Sequence, residues 1–160
     1  MSHYHVLPGW LSPRERVALA VVAKRDAWQP GSMAGGYQNL DLMGDVATLR
    51  LVRRALNALG DPLVFHAKLV RFPVGSTLPA HVDEAAAGRC QVQLHALVVG
   101  SAGGQWYLDG EEVPLDDGDA VLFRPDLLRH QLTAVERNAR VILSVSAEVD
   151  AEHARRIALA

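Results

Sequence analysis

The sequence is short of the features that would declare an oxidising compartment, a membrane or a nucleic-acid partner. It holds one cysteine, Cys90, which excludes a disulfide framework within the chain. That thiol is expected to pack as a small hydrophobe. No apolar run is long enough to cross a bilayer; Val17–Ala23 falls far short of the roughly 20 residues a spanning helix needs. Met1–Trp10 has no basic start followed by a long apolar stretch, so no signal peptide is read there. There is also no basic excess. Lys plus Arg number 16 against 18 Asp plus Glu, a formal charge of −2, so no nucleic acid is expected as a partner. Arg50, Arg53 and Arg54 lie close together and read as a solvated helix face. Repeats and low-complexity tracts are lacking. The expectation is a soluble, cytoplasmic protein in a reducing compartment, with its oligomeric state left open.

What the chain does have is apolar residues, 49% of its 160, enough to bury a sizeable core in a single domain spanning 1–160. Residues 1–62 read as helical support. Ser12-Pro13-Arg14-Glu15 is a helix start: Ser12 can cap, Pro13 suits the first turn, and Glu15 completes a capping box. This helix is expected to run to about Asp26. A second is expected from near Asp45, on the spacing of Leu49, Val52, Leu56 and Leu59, stopped by Gly60 and Pro62.

From Leu63 the period changes to that of strands. Strands are expected at 63–72, 91–99, 105–108, 111–114, 120–123, 131–133 and 140–148, with Asp109-Gly110 as a hairpin turn whose two central residues take positive φ. Many short strands separated by turn signals suggest a mainly β fold with N-terminal helices, a sandwich or jelly roll over 63–148, with the helices against one outer face.

Chemistry concentrates in a few residues. On a strand, positions i and i+2 share a face, so His81-Val82-Asp83 sets an imidazole beside a carboxylate. With His130 from a distant strand they make a two-histidine, one-carboxylate set, which leaves open positions on one side of a ferrous ion. Arg140 has its own rationale: a guanidinium is a planar fork that matches a carboxylate bidentately. Its bland alternative is a surface pair with Glu136 or Glu148.

The order of these motifs resembles a known family. Phe72-Pro73-Val74-Gly75-Ser76-Thr77-Leu78-Pro79-Ala80-His81-Val82-Asp83 resembles the strand and loop that deliver the first two ligands in prolyl-hydroxylase-like members of the Fe(II)/2-oxoglutarate-dependent oxygenase superfamily. Gly88-Arg89-Cys90, Gly103-Gly104-Gln105 and Gly118–Phe123 resemble the openings of its later strands. His130 followed ten positions on by Arg140 resembles its distal histidine and its co-substrate-binding cation. The resemblance implies a double-stranded β-helix, or cupin-like jelly roll. It implies Fe(2+) on His81, Asp83 and His130, 2-oxoglutarate on Arg140, and O2 as the oxidant. It implies a dioxygenase that hydroxylates an unactivated C–H bond of a small molecule, peptide, protein or amino-acid side chain. Phe72 stands where many relatives carry a tyrosine, and the strand around Gln93 has no tyrosine at its middle.

Two rivals remain at this stage. A cupin-type metalloenzyme not using 2-oxoglutarate would want a further ligand, and Glu84 points away from Asp83. A non-catalytic jelly-roll binding module would not need the ligand set. Of the alternating residues, Gln91, Gln93 and His95 are expected outward, with Val92, Leu94, Ala96 and Val98 in the core. His66 reads as a core or edge histidine, and His3, His5 and His153 as exposed. Arg124 and Arg129 read as solvated. One of Trp106 and Tyr107 must face the core by alternation. Tyr37 and Asn39, in a glycine-hinged segment, read either as a lid or as an ordinary connection.

Overall fold

A computed structural model describes residues 3–157; the ends of the expected 1–160 domain lie outside the described residues. Eleven strands and three helices follow in the order β1 (Tyr4–Leu7), α1 (Pro13–Val22), β2 (Gln29–Pro30), β3 (Gln38–Asp41), α2 (Leu49–Ala58), β4 (Phe65–Phe72), β5 (Leu78–His81), β6 (Arg89–Val99), β7 (Trp106–Leu108), β8 (Glu111–Glu112), β9 (Ala120–Phe123), β10 (His130–Leu132), β11 (Arg140–Asp150) and α3 (Ala151–Arg156). They form a seven-stranded sheet, β1-β9-β6-β11-β4-β3-β2, and a four-stranded sheet, β5-β10-β7-β8. Every pairing is antiparallel. Among the described residues, no helix is long and apolar enough to cross a membrane.

The molecule has three layers and two cores. Leu19 and Val22 of α1 and Leu51, Val52, Ala55 and Leu56 of α2 pack on one face of the large sheet, against Leu69, Val92, Leu94, Ala96 and Leu143. Phe72, Leu97, Phe123 and Ile142, on its other face, meet Trp106, Leu108 and Leu132 of the small sheet. The long strands β6 and β11 are therefore covered on both sides, and their side chains alternate between a helix-facing core and the space between the sheets. The jelly roll and its one-sided helical cover are as expected.

The capping box at α1 is formed: Glu15 N donates to Ser12 Oγ at 3.3 Å, and Ser12 N to Glu15 Oε2 at 2.9 Å. The helix stops at Val22 rather than Asp26 because Trp28 Nε1 donates to the Ala23 carbonyl at 3.2 Å and takes the end of the last turn. α2 begins at Leu49 rather than Asp45 because the Asp45 carboxylate accepts from Thr48 N at 3.0 Å and holds a turn there. Arg50 and Arg53 are exposed, as a solvated face requires, while half-buried Arg54 pairs with Glu15 at 2.9 Å and lies over the Trp10 ring, joining the two helices. The first third also adds three strands, β1, β2 and β3, which short polar segments conceal. Leu63 and Val64 are exposed, and β4 starts at Phe65. Asp109 and Gly110 have φ of 51° and 82°, as the hairpin requires.

Candidate metal centre

The site grows from the small sheet. His81 is the last residue of β5 and pairs directly with His130, the first of β10. Their rings lie 4.1 Å apart, centroid to centroid. Asp83 sits in the extended chain just past β5. Exposed Val82 between them points away, so the strand alternation persists. Asp83 Oδ1 stands 3.3 Å from His81 Nε2 and 3.8 Å from His130 Nε2. The ligating atoms of all three residues lie within 4.8 Å of one another.

The surrounding hydrogen bonds fix which atoms face inward. His81 Nδ1 donates to the Pro79 carbonyl at 2.8 Å, and His130 Nδ1 to the Leu128 carbonyl at 3.2 Å. A carbonyl only accepts, so each Nδ1 carries the proton and each Nε2 presents a lone pair to the common centre. Asp83 N donates to the Pro125 carbonyl at 2.8 Å, and Gln93 Nε2 to Asp83 Oδ2 at 3.0 Å, which leaves Oδ1 to the histidines. Burial, then the neighbouring His81, pushes His130 below the ordinary histidine pKa, against the opposing charge of Asp83. Two imidazoles with Nε2 turned inward and one carboxylate, gathered on one side, make a donor set that fits a divalent first-row metal.

A cavity of about 210 Å³ opens beside this triad. Tyr37 and Phe72 form one wall, with rings 5.5 Å apart. The Tyr37 hydroxyl accepts from Met33 N at 3.2 Å. The glycine-hinged segment is therefore a packed wall of the cavity, and Asn39 belongs to β3. Gln93, His95 and Lys68 also line the space, so Gln93 and His95 face inward, not outward as expected. The apolar set of β6 is core as predicted, but the core of the helix side. A polar face on a strand covered on both sides marks a site rather than solvent. His95 shows an edge to the cavity and is otherwise enclosed by Trp106 and Phe123, at 5.3 and 5.1 Å. Burial pushes its pKa well below 6.5, with the charges of His130, Lys68 and Arg140 adding to the effect.

Arg140 is buried, not a surface residue. Its Nη1 donates to the Gly104 carbonyl at 3.1 Å, and its Nε has no partner. Gly104 has φ of 84°, and a Cβ there would stand 2.9 Å from the Thr133 carbonyl, so glycine is needed to bring that carbonyl in. Burial lowers the Arg140 pKa to about 10, with Asp117 opposing, and it stays cationic at neutral pH. It lines a second cavity of about 150 Å³, and Trp106 lines both. The indole is thus the side chain that the two cavities share, between the triad and the guanidinium.

Four buried polar atoms around this region lack partners: Gln93 Oε1, His95 Nδ1, Trp106 Nε1 and Arg140 Nε. Buried polar groups are normally satisfied, so their clustering marks a place built to receive a polar ligand. The remaining assignments divide. Cys90 is buried as a small hydrophobe, and Trp106 is the inward member of its pair. His66 is exposed, 3.8 Å from Asp41. His153, expected to be exposed, is buried because α3 docks on the end of α2, where its Nε2 donates to the Leu59 carbonyl at 2.6 Å. Arg124 is buried rather than solvated and holds Asp126 bidentately at 2.8 and 2.7 Å.

Among solved structures, this chain is similar to a Pseudomonas putida prolyl-4-hydroxylase, at 20% identity over 91% of this chain and 92% of that one, with a TM-score of 0.67. It is similar to a Trichoplax adhaerens prolyl hydroxylase solved with a hypoxia-inducible-factor peptide, at 12% identity over 98% and 87%, with a TM-score of 0.75. The fold is that of the 2-oxoglutarate oxygenases. Streptomyces hygroscopicus HygX, solved with nickel and 2-oxoglutarate, shares it at 12% identity over 94% and 84%, with a TM-score of 0.75. No family model matches the sequence, and no curated protein matches it.

Proposed function

We propose that this protein is an iron(II)- and 2-oxoglutarate-dependent dioxygenase that hydroxylates an unactivated C–H bond of a small molecule or a peptide side chain. The observation that carries the reading is the triad itself: His81, Asp83 and His130 converge with both Nε2 lone pairs turned inward by backbone carbonyls. These three residues would hold the iron. With its co-substrates bound, the metal supplies oxidative decarboxylation of 2-oxoglutarate to succinate and carbon dioxide, coupled to hydroxylation.

The chain's own residues position and enclose. Gln93 orients Asp83 through its second oxygen. Trp106 and Phe123, both buried, keep water from the back of the site. Arg140 offers a guanidinium with an unused Nε to the distal carboxylate of the co-substrate. A buried cation without an ion-paired carboxylate is costly unless an anion joins it, which favours this role over a structural one. A cupin-type centre would add a fourth protein ligand. Among the described residues only three donors gather, and Glu84 is exposed.

Anaerobic addition of ferrous iron and 2-oxoglutarate tests the reading. A visible charge-transfer band should require both additions and vanish in His81→Ala and His130→Ala. A band absent from the wild-type protein refutes it.

A further inference from the structure

Lys68 is the cation that this reading leaves over. It sits on β4, on the inward face with Val70 and Phe72, and it lines the cavity beside the metal triad. Its side-chain ammonium makes no hydrogen bond or ion pair with any described residue. Its surroundings are partly closed: burial depresses its pKa, and the carboxylate of Asp83 works the other way. A lysine in such a place gives up hydration and receives no protein partner in return.

The register separates it from Arg140. Arg140 stands opposite Phe72, and Ser144 opposite Lys68. The two stand four positions apart along the strand, roughly 13 Å at about 3.3 Å per residue. Ser144 in turn pairs with His95 on β6, two residues along from Gln93, which holds Asp83. Arg140 is thus at the far end of the space between the sheets, and Lys68 at the end nearer the metal ligands. A diacid that chelates the metal at one end and reaches Arg140 at the other has both carboxylates engaged.

The charges then sum to a vacancy. Asp83 and a dianionic co-substrate offset a divalent metal and Arg140. Lys68 remains without a counterion. Beside it the wall presents the Ser144 hydroxyl, on a buried residue, and the Ser32 hydroxyl 3.4 Å from the Tyr37 hydroxyl. One ammonium with a neighbouring hydroxyl matches a singly charged carboxylate. A phosphate dianion would bring excess negative charge next to Asp83.

We propose that the primary substrate is a small carboxylic acid of about the size of a free amino acid, and that Lys68, with Ser144 beside it, selects it by its carboxylate. This rests on the oxygenase reading above. The cavity of about 210 Å³ must also hold the metal-chelating end of the co-substrate, so the space left over admits only a small molecule.

The test uses the full chain loaded with manganese(II) and 2-oxoglutarate, titrated calorimetrically with free amino acids and with their carboxamides. At least one acid should bind, with its carboxamide weaker by about tenfold or more. Lys68→Met should reduce the acid to the level of the amide, and Lys68→Arg should restore part of the difference. The ferrous 2-oxoglutarate band should persist in Lys68→Met. Carboxamides that bind as well as the acids, or no acid binding at all, overturn the proposal. So does loss of the band in Lys68→Met, which would make Lys68 the co-substrate's own cation. Absence of the band in the wild-type protein would instead refute the oxygenase reading. The calorimetric comparison of acid and amide keeps the two failures apart.

Discussion

Gln93→Met removes the amide that holds Asp83 while keeping the length and much of the volume of the side chain. The wild-type bond runs from Gln93 Nε2 to Asp83 Oδ2 at 3.0 Å, and the other oxygen faces His81 and His130. A hydrogen bond to a charged acceptor contributes about 1.5–3 kcal/mol. Partners that orient metal ligands typically change affinity by about 10–100-fold, or about 1.4–2.8 kcal/mol, so the two routes to a magnitude agree. The carboxylate should then swing more freely, and each metal-binding event would have to order it. Anaerobic calorimetry with ferrous iron, or with manganese in air, reads the change. Urea unfolding of the metal-free variant reads separately what the lost Gln93–Asp83 bond costs the fold, a loss partly offset by removal of the buried orphan Gln93 Oε1. An affinity within about twofold of wild type, in a folded variant, refutes the idea that Gln93 sets the carboxylate.

Three further outcomes are expected. Arg140→Met should weaken 2-oxoglutarate binding by about 2–5 kcal/mol and leave the metal-free protein at least as heat-stable as wild type, since it removes a buried charge; unchanged 2-oxoglutarate affinity would mean that Trp106 walls Arg140 off. His95 is held neutral by burial, its pKa well below 6.5, so the unfolded chain binds the proton first and stability falls as pH drops below about 6.5; urea midpoints from pH 7.5 to 5 should slope less in His95→Leu, and parallel curves would contradict this. Arg124→Ala leaves the Asp126 carboxylate buried without its partner and should destabilise by about 3–5 kcal/mol, read by denaturant unfolding, with a loss under about 1 kcal/mol counting against it.

The β core and the juxtaposition of His81 with Asp83 were legible because their signals are local. An alternation of side chains over two positions places His81 beside Asp83 whatever the tertiary context. Asp109-Gly110 declares its turn, and Ser12 to Glu15 its cap. What failed depends on which surface covers a strand. The face carrying Gln93 and His95 reads as solvent-facing when only one buried face is assumed; helices over the other face reverse that reading. The same blindness hid His153, whose burial depends on α3 docking against the end of α2, and Arg124, whose bidentate carboxylate lies two residues along in a loop. β1 and β3 are each only four residues long, and β3, Gln38–Asp41, is polar and held by its neighbours rather than by its own propensity. Lys68 had no sequence signal beyond being a lysine in an apolar strand.

The pairing of His81 with His130 across β5 and β10 bears on more than ligand geometry. These strands have four and three residues, and their register shifts between His130 and Leu132. Few ladder bonds therefore hold that seam closed. An ion bound by both histidines and by Asp83 would act there as a rivet between segments far apart in sequence. Binding to the folded state alone deepens that state by mass action, and the seam is where the gain is felt. The candidate metal site and the shortest pairing of the small sheet coincide, so an ion taken up there would tie the sheet at its weakest seam.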